Sequence, residues 1–264
     1  MDLRLAFNEV SKTYDKLRPG YVPELYEDII NYSGINPGST LLEIGIGTGQ
    51  ATAPFLETGG RLVAVELGSE LAKVAKEKFK IYRNFEIVNA AFEDYSCAEN
   101  SLDLIYSASA FHWIPEEVGY TKVFELLKSG GTFARFARHP CLDEGNMPLH
   151  DAIQELYAKY MPDMLAIPVL KRKKDFRYGE EDAAEIAALA KKYGFVDIEY
   201  KLYSRMRAFD AKSYSELIKT YSDHRAMGMD RLEPFAKKIE ETINAFGSTF
   251  RICDVIDLQL ARKP

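Results

Sequence analysis

Apolar and polar positions keep two rhythms through the first half of the chain. Short apolar runs bounded by turn residues predict strands at Thr40–Ile44, Arg61–Glu66, Phe85–Asn89, Leu102–Ser107 and Thr132–Ala137. Helical spacing separates them, predicting helices over residues 3–15, Pro23–Tyr32, 50–58, Ser69–Phe79 and Pro115–Leu127. Pro19-Gly20 breaks the first helix from the second, Ser69 is placed to cap its helix, and Ser129-Gly130-Gly131 is placed to stop the last. Strands alternating with helices at this spacing mean βαβ units and a mainly parallel sheet.

After Pro140 the rhythm changes. Helices are expected over Pro148–Tyr160, Ala183–Tyr193, Ala211–Tyr221 and Leu232–Phe246, with strands over Phe195–Arg207 and Phe250–Ala261. The fold class expected is α/β: a doubly wound, Rossmann-like, seven-stranded, mostly parallel sheet with an antiparallel last hairpin and helical cap insertions. One domain would span 1–264. Within it, 1–33 form lid helices, 34–140 a cofactor-binding core, 141–180 and 208–248 the cap, and 181–207 with 249–264 the remaining core elements.

The composition suits this picture. A chain of 264 residues, 47% hydrophobic and 28% charged, has ample material for a buried core. The net charge of −6 argues against a nucleic-acid partner, because phosphate contact needs a basic face. Cys97, Cys141 and Cys253 are far apart and form no CxxC pair, which suggests a reducing compartment and no structural zinc. No apolar run is long enough to cross a bilayer, so a cytoplasmic protein is expected, with no membrane partner. The oligomeric state is open.

The chemistry concentrates after the first strand, in Glu43-Ile44-Gly45-Ile46-Gly47-Thr48-Gly49-Gln50. Glycines at alternate positions between strand and helix let the backbone approach a ligand closely. The dinucleotide fingerprint asks for a third glycine where Gln50 stands, and no Lys-Ser or Lys-Thr follows for a phosphate loop. Glu66 ends the second strand about 20 residues beyond the first glycine, where a ribose-binding acid belongs; otherwise it caps a helix or stays solvated.

Leu42-Glu43-Ile44-Gly45-Ile46-Gly47-Thr48-Gly49, with Glu66, resembles the class I S-adenosylmethionine-dependent methyltransferases. Ser101–Ser107 is similar to that family's fourth-strand motif. Ser109-Ala110-Phe111-His112-Trp113 resembles a sequence of its small-molecule branch, which includes the ubiquinone/menaquinone-type and trans-aconitate-type enzymes. The opening Phe7-Asn8, Tyr14-Asp15, Arg18-Pro19 and Tyr21 resembles the same branch.

The resemblance implies S-adenosylmethionine as cofactor and S-adenosylhomocysteine as product. It places Gly45, Gly47 and Gly49 beneath the methionine portion, with Glu43 supporting the loop. Glu66 would hold the ribose, and Leu67 and Phe92 would flank the adenine. Ser107 and Ala108 would lie beside the sulfonium, and Tyr14 and Arg18 would close over the amino-acid end. One departure stands out. The family's adenine-binding acid after the third strand is Ala91 here. Either Glu93 or Asp94 takes its place, or the adenine amino group is bound without an acid.

A sulfonium methyl is already activated, so transfer needs alignment, a dry pocket and, for a hydroxyl or amine acceptor, one base. His112, after the fourth strand, is the candidate base; the other reading is that it packs with Trp113 to shape the pocket. Trp113, His139, Tyr221 and His224 are candidates to line an acceptor site. The Lys171–Lys174 run reads as a solvated loop, and no histidines stand at metal-binding spacing. The expected function is methyl transfer to a small-molecule O, N or C acceptor by in-line displacement. A protein or RNA methyltransferase, or a non-enzymatic cofactor-binding protein, is the alternative.

Overall fold

The computed structural model describes residues 20–141, 143–162 and 178–264. Seven strands form one sheet: β1 (Thr40–Ile44), β2 (Arg61–Glu66), β3 (Phe85–Asn89), β4 (Leu102–Ala108), β5 (Leu127–Cys141), β6 (Val196–Asp210) and β7 (Thr249–Arg262). Their order is β3-β2-β1-β4-β5-β7-β6. The first five pair in parallel, with Leu42 opposite Val63 on one side and Ile105 on the other. Gly130 N bonds Lys263 O, Lys263 N bonds Gly131 O, and Ala137 N bonds the Asp257 carboxylate. As β5 advances β7 therefore retreats, and the two are antiparallel. The fold is the doubly wound α/β sheet that the alternating pattern implies.

Parallel strands are buried on both faces, which is why they read as nearly continuous apolar runs. Leu41, Leu62, Ala64, Leu104, Tyr106 and Phe136 face one core, closed by helices α1 (Pro23–Ser33), α2 (Ala53–Glu57) and α3 (Ser69–Lys78). Leu42, Ile44, Val63, Val65, Ile105 and Phe133 face a second core, closed by α4 (Glu116–Leu126) and the 3-10 turn Leu189–Tyr193.

The chain divides into two compact units. One comprises the described parts of 19–138, 179–203 and 256–264 and holds both of these cores. The other comprises the described parts of 139–178 and 204–255. Its core joins Leu149 and Ile153 of α5 (Met147–Tyr160), Leu217 of α7 (Ala211–Ile218), and Phe235, Ile239 and Ile243 of α9 (Met229–Ala245). Helix α6 (Glu180–Ala188) belongs to the first unit and α8 (Ser222–Ala226) to the second.

Several sequence expectations are corrected. Ser129-Gly130-Gly131 does not separate helix from strand: β5 runs through it from Leu127, and its register with β4 shifts between Leu102 and Leu104, where glycine at φ +79° allows the irregularity. The strand also continues past Ala137 to Cys141. The helix expected over Ala211–Tyr221 stops at Ile218, and a separate turn of helix starts at Ser222. Helix α9 begins at Met229, so Pro234 lies inside it. Gly68, not Ser69, is the cap residue of α3.

The cysteine reading is also corrected. Cys141 and Cys253 form a disulfide, their Cα atoms 4.9 Å apart across 112 residues of sequence, and only Cys97 is a free thiol. Sequence distance hid the pair because antiparallel β5 and β7 bring the two positions opposite each other. The helix expected over 3–15 and the Lys171–Lys174 run lie outside the described residues.

Candidate functional site

The glycine loop leaves β1 with Gly45, Gly47 and Gly49 all at positive φ. Two of them have no room for a side chain. A Cβ on Gly45 would stand 2.4 Å from the Ala110 Cβ, and one on Gly49 would stand 2.2 Å from the Phe79 ring. The loop is thus held against the turn after β4 on one side and the end of α3 on the other. The helix beyond it is short and starts only at Ala53, later than the pattern after Gln50 suggested. The loop's own amides are engaged within the protein: Gly45 N donates to Val65 O, Gly47 N to Glu66 Oε2 and Gly49 N to Ile46 O.

Glu66 is joined directly to this loop. Its Oε2 accepts from Gly47 N at 2.8 Å and its Oε1 from Gly68 N at 2.8 Å. Burial raises its pKa, and the amides of Gly68, Gly47 and Leu67 oppose that rise. The Asn89 amide donates to the carbonyls of Glu66 and Leu67, which fixes the strand end. A carboxylate braced by amides on both oxygens keeps further lone pairs for a ligand diol.

Beneath the loop Glu43 is buried, 1% exposed. Thr52 Oγ1 donates to its Oε2 at 2.7 Å and Tyr106 Oη donates to the same oxygen at 2.8 Å. Its Oε1 has no partner among the described residues. Burial pushes the Glu43 carboxyl up to about 8, against the pull of the Thr52 and Tyr106 hydrogen bonds.

The end of β4 closes the other wall. The Ser107 hydroxyl donates to Ile44 O at 3.0 Å, so it ties β4 to β1. Ala108 is half-buried, and Ser109 follows at φ +54°, an uncommon conformation for a residue with a side chain. The Ser109 hydroxyl lies 2.8 Å from the Tyr21 hydroxyl. The Tyr21 ring meets Phe136 edge-on at 4.8 Å, and the Arg138 guanidinium lies 5.8 Å from the Tyr21 ring centre. Ser109 and Arg138 had no role assigned from sequence, and Tyr21 had only its place in the family resemblance. Their meeting follows from the β4/β5 register, which sequence does not display.

In the Phe111–Trp113 turn, Phe111 is the buried anchor, edge-on to Tyr120. His112 is exposed, its ring 4.9 Å from that of half-buried Trp113. Phe92 is buried in the second core with the Lys122 amine 5.3 Å from its ring, and Lys122 also donates to Glu93 O. Ala91 opens the Phe92–Asp94 turn.

Three expected residues belong to the other unit. His139 stacks on Tyr178 at 3.5 Å. His224 is buried, its Nδ1 2.8 Å from Asp223 Oδ1 and its Nε2 2.9 Å from the Tyr157 hydroxyl, with the Tyr221 ring 5.1 Å away. Tyr14 and Arg18 lie outside the described residues. Among the described residues, no group of three or more His, Cys, Asp or Glu is arranged to hold a metal ion.

A cavity of about 590 Å³ lies elsewhere, touching Thr40, Arg61 and Leu102, the first residues of β1, β2 and β4. Ligands of open α/β sheets bind at the carboxyl ends of the strands, where the loop, Glu66 and Ser109 gather, so the site is assigned there. The residues present fit the cofactor that the resemblance implies. The loop has no space for side chains at Gly45 and Gly49, Glu66 is braced against Gly47, and Glu43 Oε1 is a buried acceptor with no partner among the described residues.

Residues 42–134 match a family described as "methyltransferase domain". An uncharacterized methyltransferase of Schizosaccharomyces pombe is 22% identical over 231 residues, 87% of this chain and 84% of that protein. One from Geobacillus is 33% identical over 133 residues, and a probable S-adenosylmethionine-dependent methyltransferase of Saccharomyces cerevisiae is 29% identical over 131. These last two matches cover 47% and 48% of this chain and 62% and 45% of the relatives' own lengths. Among solved structures, phosphoethanolamine N-methyltransferase 2 of Haemonchus contortus, in complex with phosphomonomethylethanolamine and S-adenosylhomocysteine, aligns with a TM-score of 0.58. It is 15% identical, over 100% of this chain and 60% of that one. The YcgJ protein of Bacillus subtilis aligns at 0.56 with 16% identity, over 91% and 99%.

Proposed function

We propose that this chain, whose residues 42–134 match a methyltransferase domain, is an S-adenosylmethionine-dependent methyltransferase that methylates an O, N or C atom of a small molecule by in-line displacement. The observation that carries this reading is the Gly47 N–Glu66 Oε2 bond, which locks loop and strand end into one cradle at the carboxyl edge of the sheet. The cofactor supplies a methyl group activated by its positive sulfur.

In this reading Gly45, Gly47 and Gly49 pass beneath the methionine portion and Glu66 receives the ribose hydroxyls. Leu67, Phe92 and Glu93 border the adenine, and Ser107 and Ala108 border the reacting end. Trp113 borders the acceptor. The paired Tyr21 and Ser109 hydroxyls add a polar point at the end of β4 that can orient an acceptor. His112 takes the proton from a hydroxyl or amine acceptor, and a carboxylate acceptor dispenses with it. The net charge of −6 supports a small acceptor over a nucleic acid.

The test is a labelling experiment. Purified protein receives methyl-labelled cofactor and a cell extract split into small-molecule and macromolecular fractions. Label is expected among the small molecules; label confined to macromolecules contradicts the proposal. For the base, His112→Ala is expected to slow turnover about 10²-fold while cofactor affinity holds, and unchanged turnover removes that role.

A further inference from the structure

Glu43 is the one group of the cradle whose surroundings do not suit its charge. Both of its donors, Thr52 and Tyr106, converge on Oε2, and both are themselves fully buried. Oε1 has no partner among the described residues. The Phe55 ring lies 4.1 Å from the Tyr106 ring at a 35° tilt, and Leu41, Leu62 and Leu104 fill the same core. A buried anion normally needs hydrogen bonds on both oxygens or a paired cation.

The ionisable groups around it supply no such cation. From β2, Glu66 is a like charge. From α3, Lys78 favours ionisation, but its amine is 3.2 Å from the Thr48 carbonyl. From β4 and α1, Tyr106 and Tyr26 present phenols. In this setting burial holds the carboxyl up at about 8.

We propose that Glu43 is an uncharged acid in the cofactor-free protein and that cofactor binding ionises it, expelling one proton to solvent. The inference rests on the cofactor assignment above and concerns how this chain accommodates a cation. The Glu43 O–H bond breaks, the electron pair stays on the carboxylate, and the proton passes to buffer. Positive charge on the loop just above favours the anion, since an opposite charge within a few ångströms stabilises it. Tyr106 and Thr52 are then positioning residues: they donate to the anion once it forms and hold the carboxylate toward the loop.

The sign follows from linkage. Below the cofactor-free pKa the acid is protonated, so binding releases a proton. Above it the proton has already gone and none is released. Affinity therefore strengthens by up to about tenfold per pH unit as pH rises toward 8, and levels off beyond.

Isothermal titration with S-adenosylmethionine, in two buffers of different ionisation enthalpy, counts the protons. Close to one proton released at pH 7, and about none at pH 9.5, is expected. Glu43→Gln should remove the release. Release that persists undiminished in Glu43→Gln overturns the assignment to Glu43. Tyr106→Phe, which keeps the core volume, should weaken binding at pH 7 and move the midpoint of the affinity–pH curve upward, a shift that lost packing alone does not produce. S-adenosylhomocysteine keeps the ammonium and lacks the sulfonium. Release with both ligands assigns the effect to the ammonium, and release with S-adenosylmethionine alone assigns it to the sulfonium. Tight binding with no proton released at pH 7 overturns the proposal and leaves the cofactor assignment standing. No binding at any pH overturns both.

Discussion

Replacing Gly45 with alanine tests whether the loop's shape is dictated by its neighbours. Two costs are legible. At φ +71° a side chain enters the left-handed region, which costs roughly 1–2 kcal/mol. The new Cβ would also stand 2.4 Å from the Ala110 Cβ, and forcing such an overlap costs about 1–3 kcal/mol. Together Gly45→Ala should lose about 2–5 kcal/mol of stability, or displace the loop and lose cofactor affinity instead. A second substitution separates the two costs. Ala110→Gly in the same chain removes the methyl–methyl collision and leaves the backbone strain, so it should restore about 1–3 kcal/mol. Trp113, the chain's single tryptophan, lies three residues beyond Ala110 and reports unfolding of this unit by fluorescence in urea. Gly45→Ala within about 0.5 kcal/mol of the parent with normal cofactor affinity, or a double variant no better than the single, would refute the reasoning.

Glu66→Gln should weaken cofactor binding at least about tenfold, because an amide nitrogen would confront the N–H of Gly47 or Gly68. A dissociation constant near the parent's removes Glu66 from ribose binding. For Glu43, a carboxyl raised to about 8 contributes stability that is full below its unfolded value near 4.5 and is lost as pH rises through 8. The parent should thus lose stability relative to Glu43→Gln between pH 5 and 9, measured by urea unfolding; parallel curves contradict this. The Cys141–Cys253 bridge closes 112 residues, which in the chain-entropy model is worth about 4–5 kcal/mol. Thiol titration of the denatured, unreduced protein should find Cys97 alone, and dithiothreitol should lower the unfolding midpoint. Three thiols before reduction would show the bridge absent.

How far sequence carried the fold depends on how local each determinant is. The strands β1 to β4 were legible because two-faced burial writes itself as apolar runs between turns, as in Leu62–Val65. β5 was not, because Ser129-Gly130-Gly131 has the composition of a stop while its partners on β4 and β7 hold it extended. The same distant pairing hid the disulfide. In the site, the glycines and Glu66 were legible by spacing, but their mutual bond was not. Tyr106 read as one more apolar position of β4; only the register beside β1 shows its hydroxyl on Glu43. Tyr21, Ser109 and Arg138 meet through Phe136, three segments with no pattern in common.

One titration bears most directly on the cofactor assignment: S-adenosylmethionine into the purified chain at neutral pH. Saturable binding of one cofactor per chain is predicted, displaced by S-adenosylhomocysteine, with no heat from NAD. Absence of S-adenosylmethionine binding, together with tight NAD binding, would contradict it.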